Sequence, residues 1–225
     1  VLRTRLKIGL IYSFAANEGE ADGLLSEEEF ETEGLDQGSR DFLEGAIRDY
    51  NSLFDTPGDS ITQGVGIQNP QKDGYPAKLQ EILGSGWTVQ NFGVGGRTML
   101  RKADPFDHRP ALESSPDIVI IALGTNDSKA GIWASHKSEF VADYVAMIKE
   151  FQALPSHPKV WACLPPPAFP GNWGITEDVI RNEVIPAIQE AAKITSVSVI
   201  DLHTPLLRNK PWFPDTVHPN EEGAK

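Results

Sequence analysis

The 225-residue chain contains a single cysteine, Cys163. That excludes an internal disulfide and any Cys-rich zinc site. Cys163 stands in the apolar run Lys159–Leu164, where a buried structural thiol is expected. No run of 18 apolar residues occurs, so no transmembrane helix is expected. Basic residues are few: 20 Lys and Arg stand against 32 Asp and Glu, a formal net charge of −12. That balance opposes a nucleic-acid or anionic-membrane partner, because phosphates gather on basic patches. The histidines show no metal-ligand spacing, so no metal is expected. Neither a G-x-x-x-x-G-K-[ST] nor a G-x-G-x-x-G loop is present, which disfavours nucleotide phosphates as ligands. No signal peptide is visible, but the chain starts at Val1 rather than Met, so its compartment stays unassigned.

What remains is a composition ordinary for a globular protein, 40% hydrophobic and 23% charged. The acidity is local. Asn17–Asp49 holds twelve Asp/Glu and two Arg, a net of −10, which leaves the rest of the chain near −2. Leu6–Ser13 has the character of a buried strand, and Ala15–Ser39 that of an acidic, Gly-rich loop. Asp41–Phe54 carries apolar residues at helical spacing. Beyond Gly58 the pattern sharpens. Helices are expected over Tyr75–Leu83, Ser138–Leu154 and Glu177–Lys193, the last bent or interrupted at Pro186. Strands are expected over Trp87–Phe92, Asp117–Leu123, Val160–Leu164 and Val197–Asp201. Such alternation implies βαβ units and a parallel sheet, with ligands bound at the carboxyl ends of its strands.

Three short patterns follow those strand ends, and a fourth, around Ser60, precedes them in the chain. Ser60 lies in Gly58-Asp59-Ser60-Ile61-Thr62-Gln63-Gly64, where flanking glycines permit a sharp turn around a hydroxyl. Alone, the tripeptide fits a helix cap equally well. Asn91-Phe92-Gly93-Val94-Gly95-Gly96-Arg97-Thr98 offers backbone N–H groups. In Gly124-Thr125-Asn126-Asp127, the Asn126 amide could meet an oxyanion or merely close an Asx turn. Asp215-Thr216-Val217-His218 places a carboxylate and an imidazole on one side of a turn, as a base and its orienter require. Asp59 fits a brace for its turn, and Arg97 and Asp127 fit solvated loop residues or groups that touch substrate. His203 fits a structural histidine. Trp133, Trp173 and Trp212 lie in loops near the expected rim, where core packing and a role in an acyl or sugar pocket both remain open.

The four patterns in this order resemble the four blocks of the SGNH (GDSL) serine ester hydrolases, from about Gly58 to the C-terminus. The G-x-S-x-G elbow of the α/β-hydrolases is absent. The resemblance implies an α/β fold, a three-layer flavodoxin-like sandwich around a five-stranded parallel sheet. It implies Ser60 as nucleophile, His218 as general base and acid, and Asp215 as the group that orients His218. The Ser60 and Gly96 N–H groups and the Asn126 side chain would form the oxyanion hole. No cofactor is implied. The reaction implied is hydrolysis of short-chain carboxylic esters through an acyl-enzyme, with acetylated carbohydrates the nearest substrate class. Thioesterase, lysophospholipase and acyltransferase activities of the same family are the alternatives, and an inactive chimeric fragment is another.

Two features depart from that family. The residues before Gly58 are Ser52-Leu53-Phe54-Asp55-Thr56-Pro57, whose charge and proline make a poor central strand. Residues 6–54 (KIGLIYSFAANEGEADG…SRDFLEGAIRDYNSLF) instead resemble a stretch of the motor subunit of type I restriction enzymes. Two domains are therefore expected, an acidic segment 1–57 of unrelated origin and a hydrolase domain 58–225. The junction near residues 54–57 has the character of a fused or misassembled reading frame. Leu6–Ser13 is then expected to serve as a surrogate central strand. At the other end, Glu221–Lys225 reads as the first turn of a truncated C-terminal helix.

Overall fold

A computed structural model of the chain describes residues 52–101, 108–171 and 173–225. The first described element is strand β1 (Ser52–Gly58), followed by the one-turn helices α1 (Ser60–Gln63) and α2 (Pro70–Asp73) and by α3 (Tyr75–Leu83). Then come β2 (Trp87–Gly93), α4 (Arg109–Glu113), β3 (Ile118–Ile121) and a 3-10 turn at Asn126–Ser128. The long helix α5 (Ala130–Gln152) leads to β4 (Lys159–Leu164). Next are α6 (Glu177–Val179), a π-helical stretch at Ile180–Val184, α7 (Ile185–Thr195) and β5 (Ser198–Asp201). The five strands are parallel and ordered β2-β1-β3-β4-β5, the flavodoxin-like arrangement implied by the sequence.

The layers follow from alternation along the strands. Ile118 and Ile120 of β3, with Trp161 and Cys163 of β4, pack with Phe54, Leu79 and Leu83 on one face. Val119 and Ile121, with Val160, Ala162 and Leu164, pack on the other face with Phe140, Tyr144, Ile148 and Ile188. A period-2 pattern apolar at every position is what a sheet covered on both sides requires. Cys163 is a buried free thiol, and burial pushes its pKa up.

The structure corrects the reading of the first strand. Ser52–Gly58 occupies the place between β2 and β3, so the sheet has no central gap for Leu6–Ser13 to fill. The strand runs unbroken across residues 54–57. It also replaces the end of the helix expected over Asp41–Phe54. The earlier residues of that helix, and Leu6–Ser13 itself, lie outside the described residues. Two contacts let this unpromising sequence hold a central position. Phe54 is fully buried, with its ring edge-on to Trp87 at 6.1 Å. Asp55 is buried too, accepting a hydrogen bond from the Ser114 hydroxyl, and burial raises its pKa to about 7. Much of the cost of burying a charge is thereby avoided, because the group can stay protonated.

Pro57 weakens one side of β1 only. Its carbonyl accepts from Ala122 N at 2.9 Å, so the N–H it lacks would also face β3. Accordingly, β1 pairs with β3 at Phe54 and Asp55 and again in an isolated bridge at Gly58↔Ala122. Its pairing with β2 is continuous over all seven residues.

Elsewhere the largest shift of a boundary is at α5. Helix α5 begins at Ala130 rather than Ser138, and the helix carrying Pro186 widens into its π stretch just before that proline, as an interruption there requires. At the C-terminal end a single turn forms, with Ala224 N donating to Asn220 O and Gly223 N to Asn220 Oδ1, both at 3.0 Å.

Candidate active site

The strand register gathers the site. Gly58 is level with Gly93 of β2 and with Ala122 beyond β3. Ser60, Gly96 and Asn126 therefore stand two, three and four residues beyond one row across the sheet.

Ser60 opens α1, and glycine packing fixes that turn. A Cβ on Gly58 would lie 2.0 Å from Thr62 Oγ1, and one on Gly93 would lie 2.2 Å from Gln63 N. Only hydrogen at both positions lets α1 press against the two strand ends. Asp59 caps the turn, its Oδ1 accepting from Ile61 N at 2.9 Å. Burial raises the Asp59 pKa to about 6, against the opposing pull of the Ile61 N–H, the Thr125 hydroxyl and His218. Asn91, whose support the sequence left unremarked, ties β2 to the same turn. Its Nδ2 donates to Thr62 O at 2.7 Å and its Oδ1 accepts from Gly93 N at 2.8 Å.

The glycine turn after β2 lies beside the serine. A Cβ on Gly95 would stand 3.9 Å from Ser60 Cβ. Gly96 is exposed at φ 79, in the left-handed region. Asn126 is buried and donates from Nδ2 to Arg97 O at 3.1 Å, so the amide and the glycine turn hold each other. Arg97 and Asp127 are not solvated loop residues. Arg97 is half-buried and donates from Nη1 to Phe92 O at 3.2 Å. Asp127 is fully buried, and its carboxylate accepts from Met99 N at 3.0 Å, pinning the far end of that turn.

Asp215 and His218 arrive on an irregular loop. Asp215 Oδ1 accepts from the backbone N–H groups of Val217 (3.0 Å) and His218 (2.7 Å). Asp215 Oδ2 meets His218 Nδ1 at 2.6 Å, and His218 Nε2 meets Ser60 Oγ at 2.8 Å. Burial tends to raise the Asp215 pKa, but the hydrogen bonds from His218 and Val217 outweigh it and hold the carboxyl below its usual value. The turn needs Thr216 at φ 77, a conformation β-branched residues rarely adopt. A second loop buttresses it. Phe169 N donates to Thr216 O at 2.8 Å, and a Cβ on Gly171 would fall 1.9 Å from Thr216 Oγ1.

A hydroxyl joined to an imidazole, itself joined to an ionised carboxylate, can lose its proton as it attacks an electrophile. The three tryptophans separate. Trp133 is buried and donates to Glu183 Oε2 at 2.7 Å, and Trp212 is half-buried. Trp173 is 48% exposed and meets the His218 ring edge to face at 5.2 Å. Being aromatic in a loop near the rim was the only signal for it. His203 is buried against Glu177, with Nε2 2.8 Å from Oε1. Among the described residues, no three His, Cys, Asp or Glu side chains gather as metal ligands, and no helix is long and apolar enough to cross a membrane.

The profile of the GDSL-like lipase/acylhydrolase family matches residues 57–225. The chain is 44% identical over 191 residues to an acetylxylan esterase of Xylanibacter ruminicola, in an alignment covering 75% of this chain and 40% of that protein. It thus spans about two fifths of that relative's length. Among solved structures, the acetyl xylan esterase AlAXEase superposes with a TM-score of 0.61 at 26% identity, covering 76% of this chain and 93% of that one. A two-domain esterase active on acetylated mannans superposes with a TM-score of 0.60 over 83% of this chain and 48% of that one. At 19% identity, that second likeness is one of fold.

Proposed function

We propose that this chain, which belongs to the GDSL-like lipase/acylhydrolase family, hydrolyses short-chain carboxylic esters, with acetyl groups on carbohydrate as its substrate class. The observation that carries the reading is the unbroken relay from Ser60 Oγ through His218 to Asp215, with links of 2.8 and 2.6 Å. The substrate class is supported by the similarity to two acetylxylan esterases.

In this mechanism Ser60 Oγ attacks the acyl carbon while His218 Nε2 takes the hydroxyl proton. The carbonyl π pair moves onto oxygen, where the Ser60 and Gly96 N–H groups and the Asn126 amide meet the charge. Collapse of the tetrahedral adduct breaks the bond to the sugar oxygen, which leaves with the proton from His218. A water molecule then repeats the sequence on the acyl-enzyme. His218 takes its proton, acetate departs, and Ser60 regains its hydrogen. Asp215 stays ionised throughout and steadies the imidazolium.

The test is acetate release from acetylated xylan, beside hydrolysis of p-nitrophenyl acetate, p-nitrophenyl butyrate and an acyl thioester, by the chain and by Ser60→Ala. The expected result is a preference for acetyl oxygen esters that vanishes with Ser60. A preference for long acyl chains or for the thioester would overturn the substrate class. Undiminished turnover by Ser60→Ala would overturn the site.

A further inference from the structure

Among the described residues, five large hydrophobic residues stand exposed: Val65, Val94, Trp173, Ile194 and Leu207. Trp173 meets the candidate site directly, and Val65 and Val94 stand in turns whose next residues approach it. Val65 precedes Gly66, where a Cβ would sit 3.4 Å from His218 Cβ. Val94 precedes Gly95, whose Cβ position is 3.9 Å from Ser60 Cβ. Trp173 meets the His218 ring itself at 5.2 Å and 86°. Scattered exposed apolar residues need no explanation, whereas apolar residues gathered around a reactive hydroxyl point to a ligand surface.

Trp173 differs from the two valines in being held in place. Its indole N–H donates to Asp215 O at 3.1 Å. Just before Trp173, Phe169 and Gly171 are fastened to the loop of Asp215 by the Phe169–Thr216 hydrogen bond, by the close approach of Gly171 to Thr216, and by Phe169 against Phe213 at 5.4 Å. An aromatic side chain so fixed loses little entropy when a ligand covers it. Its polar N–H is already satisfied inward, and about half of the residue still faces solvent.

We infer that Trp173 is a specificity-determining residue, a platform on which one pyranose ring of an acetylated carbohydrate rests while its acetyl group reaches Ser60. The inference rests on the carbohydrate-ester reading given above. The flat C–H face of a pyranose is the one part of a sugar that gains by covering an aromatic ring. A second task follows from the same placement, since the N–H bond to Asp215 O makes Trp173 a brace for the loop of His218. The two tasks separate by substitution: Trp173→Phe keeps a ring and loses the N–H, and Trp173→Ala loses both.

The experiment compares kcat/KM of the chain, Trp173→Phe and Trp173→Ala on acetylated xylotriose and on glyceryl triacetate, an acetyl ester without a ring. It also measures binding of unacetylated xylotriose to each protein by calorimetry in the Ser60→Ala background. The expected result is that Trp173→Ala loses about tenfold more on the sugar ester than on triacetate, corresponding to about 1.4 kcal/mol. Trp173→Phe retains most of that selectivity, and xylotriose binding weakens about tenfold in Trp173→Ala. Equal losses on both esters with unchanged xylotriose binding would overturn the platform and leave only the brace. If the chain hydrolyses no sugar ester, the functional reading fails by itself. The platform then stands or falls on whether xylotriose binding depends on Trp173.

Discussion

Ser60 reaches the site from the end of a central strand, whereas His218 reaches it from a loop without regular structure. The serine is held by packing: two glycines admit α1 against two strand ends, and the Asp59 cap closes the turn. His218 is held by hydrogen bonds, three of them in its turn to the Asp215 carboxylate, and by a second loop pressed against Thr216. One wall of the site therefore shares the stability of the sheet, while the other can be loosened without unfolding it. The strained Thr216 belongs to the second wall, as expected where hydrogen bonds rather than regular structure fix the backbone.

The largest effects break the second wall at its chemistry. His218→Ala and Asp215→Asn should each lower kcat/KM on p-nitrophenyl acetate by roughly 10⁴-fold, with circular dichroism unchanged. Asn126→Ala removes one side-chain donor and should cost about 10²–10³-fold in kcat. A matched pair of alanines then separates the walls. Gly58→Ala drives a methyl into Thr62 and Ala122 and should lower global stability by about 1–3 kcal/mol, read as an earlier urea midpoint. Gly171→Ala drives one into Thr216 and should lower kcat about tenfold or more with a smaller shift in that midpoint. Equal loss of stability in both variants would remove the distinction between the walls.

The smallest effect concerns the two aspartates that mark the contrast. Asp55 is buried in β1 with its pKa raised to about 7, while Asp215 is held below the usual range by its hydrogen bonds. A raised carboxyl pKa means that the folded state binds the proton more tightly than the unfolded chain does. The contribution of Asp55 to stability is then complete below about pH 4 and fades as pH rises through about 7. Asp55→Asn should therefore gain on the parent chain steadily between pH 4 and 7 and hold a constant difference above that, in urea titrations across the range. Asp215 contributes in the opposite sense, its stabilisation being lost as pH falls.

Legibility in the sequence followed the range of the interactions. Tyr75–Leu83 and the β3 run were readable because local periodicity and β-branching decide them. The four patterns of the site were readable as a set, because each is a short run of adjacent residues and all four occur in one order along the chain. Strand β1 was not. Asp55 and Pro57 argue against a central strand locally, and what rescues it is distant: Ser114, 59 residues away, and a β2 pairing that does not need the missing N–H. The burial of Asp127 depends on Met99, and the place of Trp173 depends on Asp215, both fixed by tertiary contact. The early start of α5 was hidden by Gly131 and by the polar run Ser135-His136-Lys137 in its second turn.

The central claim is that Ser60 is a nucleophile activated by His218. Its most direct test is covalent labelling with a serine-reactive fluorophosphonate, with the modified peptide identified by mass spectrometry. The account predicts a single adduct on Ser60 that is absent in Ser60→Ala and forms far more slowly in His218→Ala. A folded chain that takes no label, or one whose label persists in Ser60→Ala, would contradict it.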